Sequence, residues 1–291
     1  MKMTLSDRIV LLICYVLAII ALIITLYPFL YVFSASISDP IEVQRGNVLL
    51  LPRGFTLQAY INVLAEGQVI RSFFNSVWYT VVGTITAVSL ITLTAYPLSR
   101  KEFHLRNFFQ IYILIPMFFS GGLIPSFLVV NGLGLYNTRW AVILTLCLGS
   151  YHVILSRTYL QTIPDELIES ARLDGCSEFR IFLKIIIPLA TPITAVITVY
   201  NAIGYWNNYL QPLIYLKSEE LQPLTIYLNK ILSKATLETA KMLGGTASGA
   251  LLSFFQIKYA VIIVAIAPIM IVYPIFQKQF TKGIMIGALK G

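Results

Sequence analysis

The amino-acid sequence predicts an all-α membrane protein with six transmembrane helices, and three observations lead to that prediction. Hydrophobic residues make up 57% of the 291 residues and charged residues only 12%, whereas a soluble domain carries about 25% charged residues. Several windows contain the roughly 20 apolar residues that a membrane-spanning helix needs. The apolar runs are unbroken instead of alternating, so we expect helices and not the strands of a membrane barrel.

Hydropathy places the spans within a single domain that covers residues 1–291. The predicted spans are 9–33, 75–98, 108–130, 139–160, 186–214 and 259–280. The first apolar run exceeds the 7–15 residues of a signal-peptide core, so we expect a retained span. In the second, Gly83 and Ala87 are small residues that let a neighbouring helix approach closely. The third contains breakers such as Gly121 and Pro125, so we expect it to be kinked and buried in a bundle.

Basic residues predict the orientation of the chain. Arg100, Lys101 and Arg106 lie in or beside the short loop between spans two and three, and Lys2 and Arg8 precede the first span. Short loops rich in lysine and arginine stay in the cytoplasm, so we expect both termini to be cytoplasmic in the plasma membrane of a prokaryote. The net charge of +8 is spread over loops without a basic stripe, and we expect no nucleic-acid partner.

A short polar stretch, ESARLDGCSEF at 169–179, interrupts the apolar runs. Pro164 suits the first turn of a helix of about ten residues, and Asp165 then lies at the positive end of the helix dipole. Gly175 stands where a left-handed residue ends a helix, and Ser177 can cap the next one. The sequence therefore predicts a short cytoplasmic helix that turns back into the membrane.

The two sides of this helix differ in character. Ile168 and Ala171 share one side, while small Ser170 and Ala171 let a partner surface come close. A short exposed helix of this kind suits insertion into a groove of another protein. An ordinary solvated loop remains the alternative on composition alone.

The spacing around this helix resembles that of a known family. Glu169-Ser170-Ala171, three residues, Gly175, nine residues and Ile185-x-Ile187-Pro188 resemble the EAA loop of ABC importer permeases. The departures are Ser170, where the family has alanine, and Ile187, where it has leucine. Further stretches resemble the sugar-uptake, maltose-type branch, and some of them are closest to oligosaccharide and polysaccharide permeases. These stretches are 96–103, 117–128, 171–185, 205–216 and 276–291.

The resemblance implies a type I ABC importer permease that forms half of a transporter. The implied partners are a second homologous permease, two ATPase subunits, an extracellular solute-binding protein, the lipid bilayer and an oligosaccharide. A coupling helix at 164–175, in the loop 161–185, would seat in an ATPase subunit. The implied coupling residues are Glu169, Ser170, Ala171, Asp174 and Gly175. The chain contains no GxxxxGK[ST] phosphate loop, so we expect no ATPase activity and no cofactor of its own, with ATP and magnesium bound by the partner.

Aromatic and amide side chains suggest where a sugar could pass, because sugars pack on rings and hydrogen-bond through their hydroxyls. The candidate pathway residues are Tyr205, Trp206, Asn207, Asn208, Asn75, Tyr79 and Tyr151. Interfacial anchoring and packing between helices remain alternative roles for them. We expect no metal site.

Other functions stay open at this point. An ABC permease for a solute other than sugar is the first alternative. A secondary transporter would need intramembrane charges, and a membrane enzyme would need clustered carboxylates or a metal set; neither pattern is present in the sequence. The outer segment 215–258 is a candidate for docking the binding protein.

Overall fold

In this computed structural model of the protein, residues 5–242 and 257–271 are described, and the regular structure within them is entirely helical. The prediction of an all-α fold is therefore confirmed. In chain order the helices are α1 Leu5–Ser36, α2 Pro40–Gln44, α3 Gln58–Ala65, α4 Gly67–Ser99, α5 Arg106–Phe118, α6 Leu123–Gly132, α7 Arg139–Leu144, α8 Ser150–Leu160, α9 Asp165–Leu173, α10 Glu178–Ile181, α11 Ile187–Leu189, α12 Thr191–Trp206, α13 Leu210–Tyr215, α14 Leu224–Met242 and α15 Ile257–Ile271. A π-helical stretch at Phe182–Ile186 joins α10 to α11, and a 3₁₀ turn at Glu219–Leu221 precedes α14.

Two helices of the described part are long and apolar enough to cross a membrane, namely Asp7–Ser36 and Gly67–Ser99. A third span results if the helix Glu178–Leu189 and α12, which are bent by 78° relative to each other, are counted as one. The third and fourth predicted spans are each divided between two shorter helices, and the sixth runs beyond residue 271. The count of six spans stays a prediction.

The described residues cluster into two compact units, one with residues 5–69, 228–242 and 257–267, the other with 70–227 and 268–271. That residues 1–291 form one permease domain stays a prediction. In the first unit, α1 is exposed from residue 9 to residue 30 of the first predicted span, and Tyr31 and Val32 near its end are partly buried. Its end is held by Ser34, whose hydroxyl donates to the Leu50 carbonyl oxygen across 2.6 Å, and Ala35 packs in a small core with Val43 and Val48.

The core of the second unit is built where α4, α8, α9 and α12 meet. Gly83 lies directly against the ring of Tyr205, since a Cβ atom added to Gly83 would lie 2.7 Å from two of the ring carbons. Ala87, one turn further along, is completely buried. The close helix approach predicted from Gly83 and Ala87 is confirmed, and the helix that approaches α4 there is α12.

The fifth predicted span is sharply bent near its start, as its prolines suggest. Pro188 and Pro192 lack the N–H groups that an α-helix needs, and the two parts of the span are bent by 78° on either side of Ala190. The wider π-helical turn at Phe182–Ile186 lies just before the bend. The consequence is that the chain turns from the polar segment into α12 within a few residues.

The third predicted span breaks between Phe118 and Leu123. Gly122 adopts a φ of +83°, a left-handed conformation that favours glycine. The expected kink is confirmed. In the single chain the side chains from 117 to 126 are exposed, so burial of this region in a helix bundle stays a prediction.

Candidate functional site

The short polar helix α9 ends in a complete Schellman arrangement. Gly175 has a φ of +75°, and its N–H donates to the Arg172 carbonyl across 3.0 Å. The N–H of Cys176 donates to the Ala171 carbonyl, also across 3.0 Å. This pair of bonds satisfies carbonyls that a helix end leaves without intrahelical partners. The predicted stop at Gly175 is confirmed, whereas Pro164 occupies the N-cap position, one residue before the helix, and not its first turn.

One face of α9 belongs to the chain's own core. Ile168 and Ala171 are 2% and 7% exposed and pack with Leu160 and Ile181. Ala171 thus faces inward, and its small side chain is not available to a partner. The predicted pairing of Ile168 with Ala171 on one side is confirmed.

The opposite face of α9 is open. The predicted coupling residues Glu169, Ser170 and Asp174 are exposed, as is Gly175. The Ser170 hydroxyl donates to the Glu166 carbonyl one turn earlier, across 2.8 Å. Leu173 is 89% exposed and Leu167 is 47% exposed, so α9 presents apolar as well as polar side chains to its surroundings.

Two cations from the end of α4 hold the start of α9. Arg100 is 6% exposed and donates from its guanidinium to Asp165 Oδ1 across 3.2 Å and to the Leu160 carbonyl across 2.6 Å. Its Nε also donates to the Ser99 hydroxyl. Lys101 Nζ lies 3.4 Å from the other oxygen of Asp165. The guanidinium fork therefore fixes the end of α8 and the start of α9 to the end of α4.

A second cluster holds the other end of α9. Arg172 Nε donates to Glu178 Oε1 across 2.7 Å, and its Nη1 lies 3.5 Å from Glu102 Oε1. The Tyr96 hydroxyl donates to the second oxygen of Glu178 across 3.2 Å. The hydrogen bond that Arg172 donates to Glu178 raises the pKa of Arg172 above its ordinary value. Both ends of α9 are thus connected to the end of α4 and to the residues that follow it.

Two of the predicted pathway residues on α4 are engaged within the chain. Asn75 donates through Nδ2 to the carbonyls of Glu220 and Gln222 across 2.7 and 3.2 Å, and its Oδ1 accepts from Arg139 across 3.0 Å. The Tyr79 hydroxyl donates to the Leu221 carbonyl across 3.0 Å. Both side chains are nearly fully buried. In this conformation they fix the 219–222 segment to α4, and their polar atoms have no free face for a sugar.

The remaining pathway candidates divide between buried and exposed positions. Tyr205 is buried and its hydroxyl donates to the Ile143 carbonyl across 2.8 Å, while Trp206 is 9% exposed and packs edge-on against Phe73. Asn207 is exposed at the end of α12, and Tyr151 is 54% exposed. The remaining candidate, Asn208, is half-buried. Asn207 and Tyr151 are thus the two candidates whose side chains are open.

A cavity of about 630 Å³ lies beside the break in the third predicted span. Its polar lining comes from Ser120, Ser126, Thr145 and Gln211, and its remaining lining is mostly apolar. Non-helical backbone at membrane depth is tolerated where it is buried in protein or lines a water-filled cavity. The helix break therefore borders a cavity with an uncharged lining of polar and apolar residues, within the predicted membrane region.

Several residues that position the site carry roles that the sequence did not reveal. In the sequence, Arg100 and Lys101 predicted only the orientation of the chain in the membrane. Arg172 and Glu178 had no role there beyond that of charged residues in a polar segment. Their pairing joins segments 6 to 70 residues apart, which no local pattern shows. In the described residues, no three histidine, cysteine, aspartate or glutamate side chains come together to hold a metal ion, and the three cysteines are free.

A bundle of apolar helices that presents one braced polar helix is the architecture of a transport permease that works with partner subunits. The chain belongs to the family of binding-protein-dependent transport system inner membrane components, which matches residues 80–286. It is thus the membrane subunit of an ABC importer, and the ATPase site of such a transporter is not in this subunit.

Individual relatives agree over nearly the whole chain. Protein LplC of Bacillus subtilis is 37% identical over 268 residues, which cover 92% of this chain and 90% of LplC. The polygalacturonan/rhamnogalacturonan transport system permease protein YtcP of Bacillus subtilis is also 37% identical, over 92% of this chain and 93% of its own. One chain in the crystal structure of a bacterial ABC transporter involved in the import of the acidic polysaccharide alginate superposes with a TM-score of 0.86. It is 35% identical and covers 96% of this chain and 99% of that one.

Proposed function

We propose that this chain is one of two permease subunits of an ATP-driven importer of oligosaccharides and that α9 is its coupling helix. Family membership implies ATPase and solute-binding partners. In the proposed assembly two ATPase subunits, which bind ATP and magnesium, lie beneath the two permeases. A solute-binding protein delivers the sugar from the outer side. The end of the protein that carries α9 then faces the cytoplasm, as do both termini.

The observation that carries this proposal is the exposed Leu173 on a helix that is tied down at both ends. A helix fixed to α4 through Asp165 and Arg172 transmits a displacement of its open face to the helices behind it as a rigid element. Leu173 and Leu167, 89% and 47% exposed, provide the apolar surface that a groove in an ATPase subunit would cover. Glu169 and Ser170 lie beside them on the open side.

The proposed coupling can be tested on the assembled transporter with a matched pair of variants. Leu173→Ser removes the apolar contact, and we expect ATPase subunits to bind about 10- to 150-fold more weakly, because burying one leucine contributes roughly 1.5–3 kcal/mol. Leu105→Ser changes another exposed leucine at the same end, 57% exposed and outside α9. The control should keep both the ATPase subunits and ATPase stimulation by the binding protein. Full retention of ATPase binding in Leu173→Ser would refute the role of α9.

The sugar path is proposed to include the open side chains Asn207 and Tyr151 together with the cavity at the helix break. Neutral hydroxyl and amide groups in a mostly apolar lining suit a sugar, whose hydroxyls need donors and acceptors. The relatives include a polygalacturonan/rhamnogalacturonan permease, an alginate importer and an arabinooligosaccharide permease from Halalkalibacterium halodurans, 31% identical to this chain. These names support an oligosaccharide as the substrate.

Ligand binding to the cognate solute-binding protein tests the substrate class. A panel of uronate and neutral oligosaccharides, with monosaccharides, amino acids and peptides as controls, should give saturable binding of an oligosaccharide. Tighter binding of an amino acid or peptide would favour the alternative of a permease for a solute other than sugar. Uptake by the whole transporter should then fall when Gln211→Leu removes an amide from the cavity, and unchanged uptake would remove the cavity from the path.

A further inference from the structure

Two arginines meet at the end of the second unit that also carries α9, at the junction of α5 and α8. With the amide oxygen of Gln110 facing them, Arg157 donates to it through Nε and Nη2 across 3.1 and 3.0 Å, and Arg106 donates through Nε across 2.8 Å. The amide oxygen of Gln161 likewise accepts from Nη2 of Arg157 and of Arg106, across 3.2 and 3.1 Å. Two neutral amides thus bring two positive charges side by side.

These charges are not compensated within the described part of the chain. Neither Arg106 nor Arg157 forms an ion pair among residues 5–242 and 257–271, where Asp165 and Glu102 pair with Arg100, Lys101 and Arg172. In the same residues the Nη1 group of each arginine has no hydrogen-bond acceptor. Four N–H donors, two on each guanidinium, are therefore available to an added group.

The local electrostatics favour an anion at this point. Arg106 is the first residue of α5, where the helix dipole is positive and disfavours a cation. The neighbouring Arg157 adds a like charge, and Coulomb repulsion between them is weakly screened near apolar surfaces. A phosphate bound between the two guanidinium groups would relieve both effects, since arginine binds phosphate oxygens through paired hydrogen bonds.

An apolar cavity adjoins the arginine pair and points to an amphiphilic ligand. It has a volume of about 60 Å³, with Gln110 and Arg157 in its lining. The other lining residues are the aliphatic Leu98, Ile113, Leu114, Val153 and Ile154. Arg106 precedes the third predicted span and Arg157 lies near the end of the fourth, so both lie at the level of a membrane interface. Free inorganic phosphate would leave the apolar cavity unused.

We propose that Arg106 and Arg157 form a binding site for the phosphate headgroup of an anionic phospholipid, with part of an acyl chain against the adjoining cavity. Basic pockets between membrane helices on the cytoplasmic side are suited to such headgroups. The site is connected to the end of α4, to which α9 is also bound. Arg157 Nε donates to the carbonyl of Leu98, a residue near the end of α4, across 3.2 Å. A bound lipid would therefore stabilise the end of α4, to which α9 is bound. The leaflet follows from the orientation proposed above, whereas the site itself does not depend on the transported solute.

The test uses the assembled transporter in detergent, stripped of lipid and titrated with phosphatidylglycerol or phosphatidylcholine while thermal unfolding is followed. We expect phosphatidylglycerol to stabilise the wild-type transporter selectively. The double variant Arg106→Gln/Arg157→Gln should bind it about 30-fold more weakly and each single variant about fivefold, since each basic residue near a membrane surface contributes roughly 1 kcal/mol. Arg180→Gln/Lys184→Gln removes the same charge from two exposed side chains and should keep the wild-type affinity.

Native mass spectrometry of the same samples keeps the proposal falsifiable if the double variant assembles poorly. The Arg106→Gln variant retains Arg157 and its bond to Leu98, and we expect it to carry fewer phosphatidylglycerol molecules than the wild type. Equal retention of phosphatidylglycerol and phosphatidylcholine by the wild type would overturn the site. So would unchanged phosphatidylglycerol affinity in the arginine variants. Inorganic phosphate that reproduces the stabilisation would show a site for a free anion and would contradict the lipid.

Discussion

Arg172 Nε donates to Glu178 Oε1 across 2.7 Å and thereby joins α9 to the helix that follows it. The bond spans the left-handed turn at Gly175, so this turn is stabilised both by backbone hydrogen bonds and by a pair of charged side chains. Glu178 is in turn bound by Tyr96 of α4. The geometry of α9 is therefore set by the following helix and by α4, which is distant in sequence.

A double-mutant cycle on this pair should reveal a small but real coupling. Arg172→Gln and Glu178→Gln, alone and together, are expected to show an interaction free energy of about 0.5–1 kcal/mol, because the Glu178 side chain is 59% exposed and exposed pairs are worth little. Thermal unfolding of the transporter provides the measurement. Arg180→Gln, an exposed cation on the same short helix, should cost less than about 0.5 kcal/mol. Strict additivity of the two single variants would show that the pair contributes nothing.

Arg100 and Lys101 give a matched comparison of a buried and an exposed cation on the same carboxylate. Arg100→Gln is expected to destabilise the protein by about 1–3 kcal/mol, because it removes the donor to the buried Leu160 carbonyl as well as the ion pair. Lys101→Gln should cost less than about 1 kcal/mol, since the Lys101 side chain is 82% exposed. The free energies of unfolding of the two variants decide the point. Equal losses would mean that the hydrogen bond to Leu160 contributes little.

The left-handed turn after α9 predicts a conformational cost for any side chain. Gly175→Ala should destabilise by about 1–2 kcal/mol, which is the cost of a left-handed conformation for an L-residue. No atom lies within 4 Å of the added Cβ, so the effect would come from the backbone alone. Gly132→Ala, also with open space around it but without a positive φ, is the control and should be close to neutral. Thermal unfolding and transport measured together would show whether the turn matters for both.

The contact between Gly83 and Tyr205 predicts a steric cost. Gly83→Ala should destabilise by about 1–3 kcal/mol, because the new methyl group would lie 2.7 Å from the ring and must displace α12. Gly67→Ala, in the same helix with nothing within 4 Å, serves as the matched control in the same unfolding assay. A neutral Gly83→Ala would show that Tyr205 can move away without loss, against the packing described above.

Much of the architecture was determined by local sequence. Apolar composition fixed the helical membrane class, because in a bilayer each backbone group must be bonded within its own helix. Gly175 determined where α9 ends, since glycine pays no steric penalty at positive φ. The spacing of Ile168 and Ala171 determined which side of α9 is buried, and the EAA-like spacing identified the family that the comparisons confirm.

The tertiary structure alone decided what these elements are attached to. Asn75 and Tyr79 are residue types that are suited to a sugar site, yet their polar atoms form hydrogen bonds to the 219–222 segment. Arg100 in a short loop predicted only the orientation of the chain, yet its side chain is buried and joins the end of α4 to α8 and α9. The physical reason is that hydrogen-bonding groups are satisfied by whichever partner the fold brings within about 3 Å. That partner can lie 60 to 147 residues away, where no periodicity or spacing in the sequence specifies it.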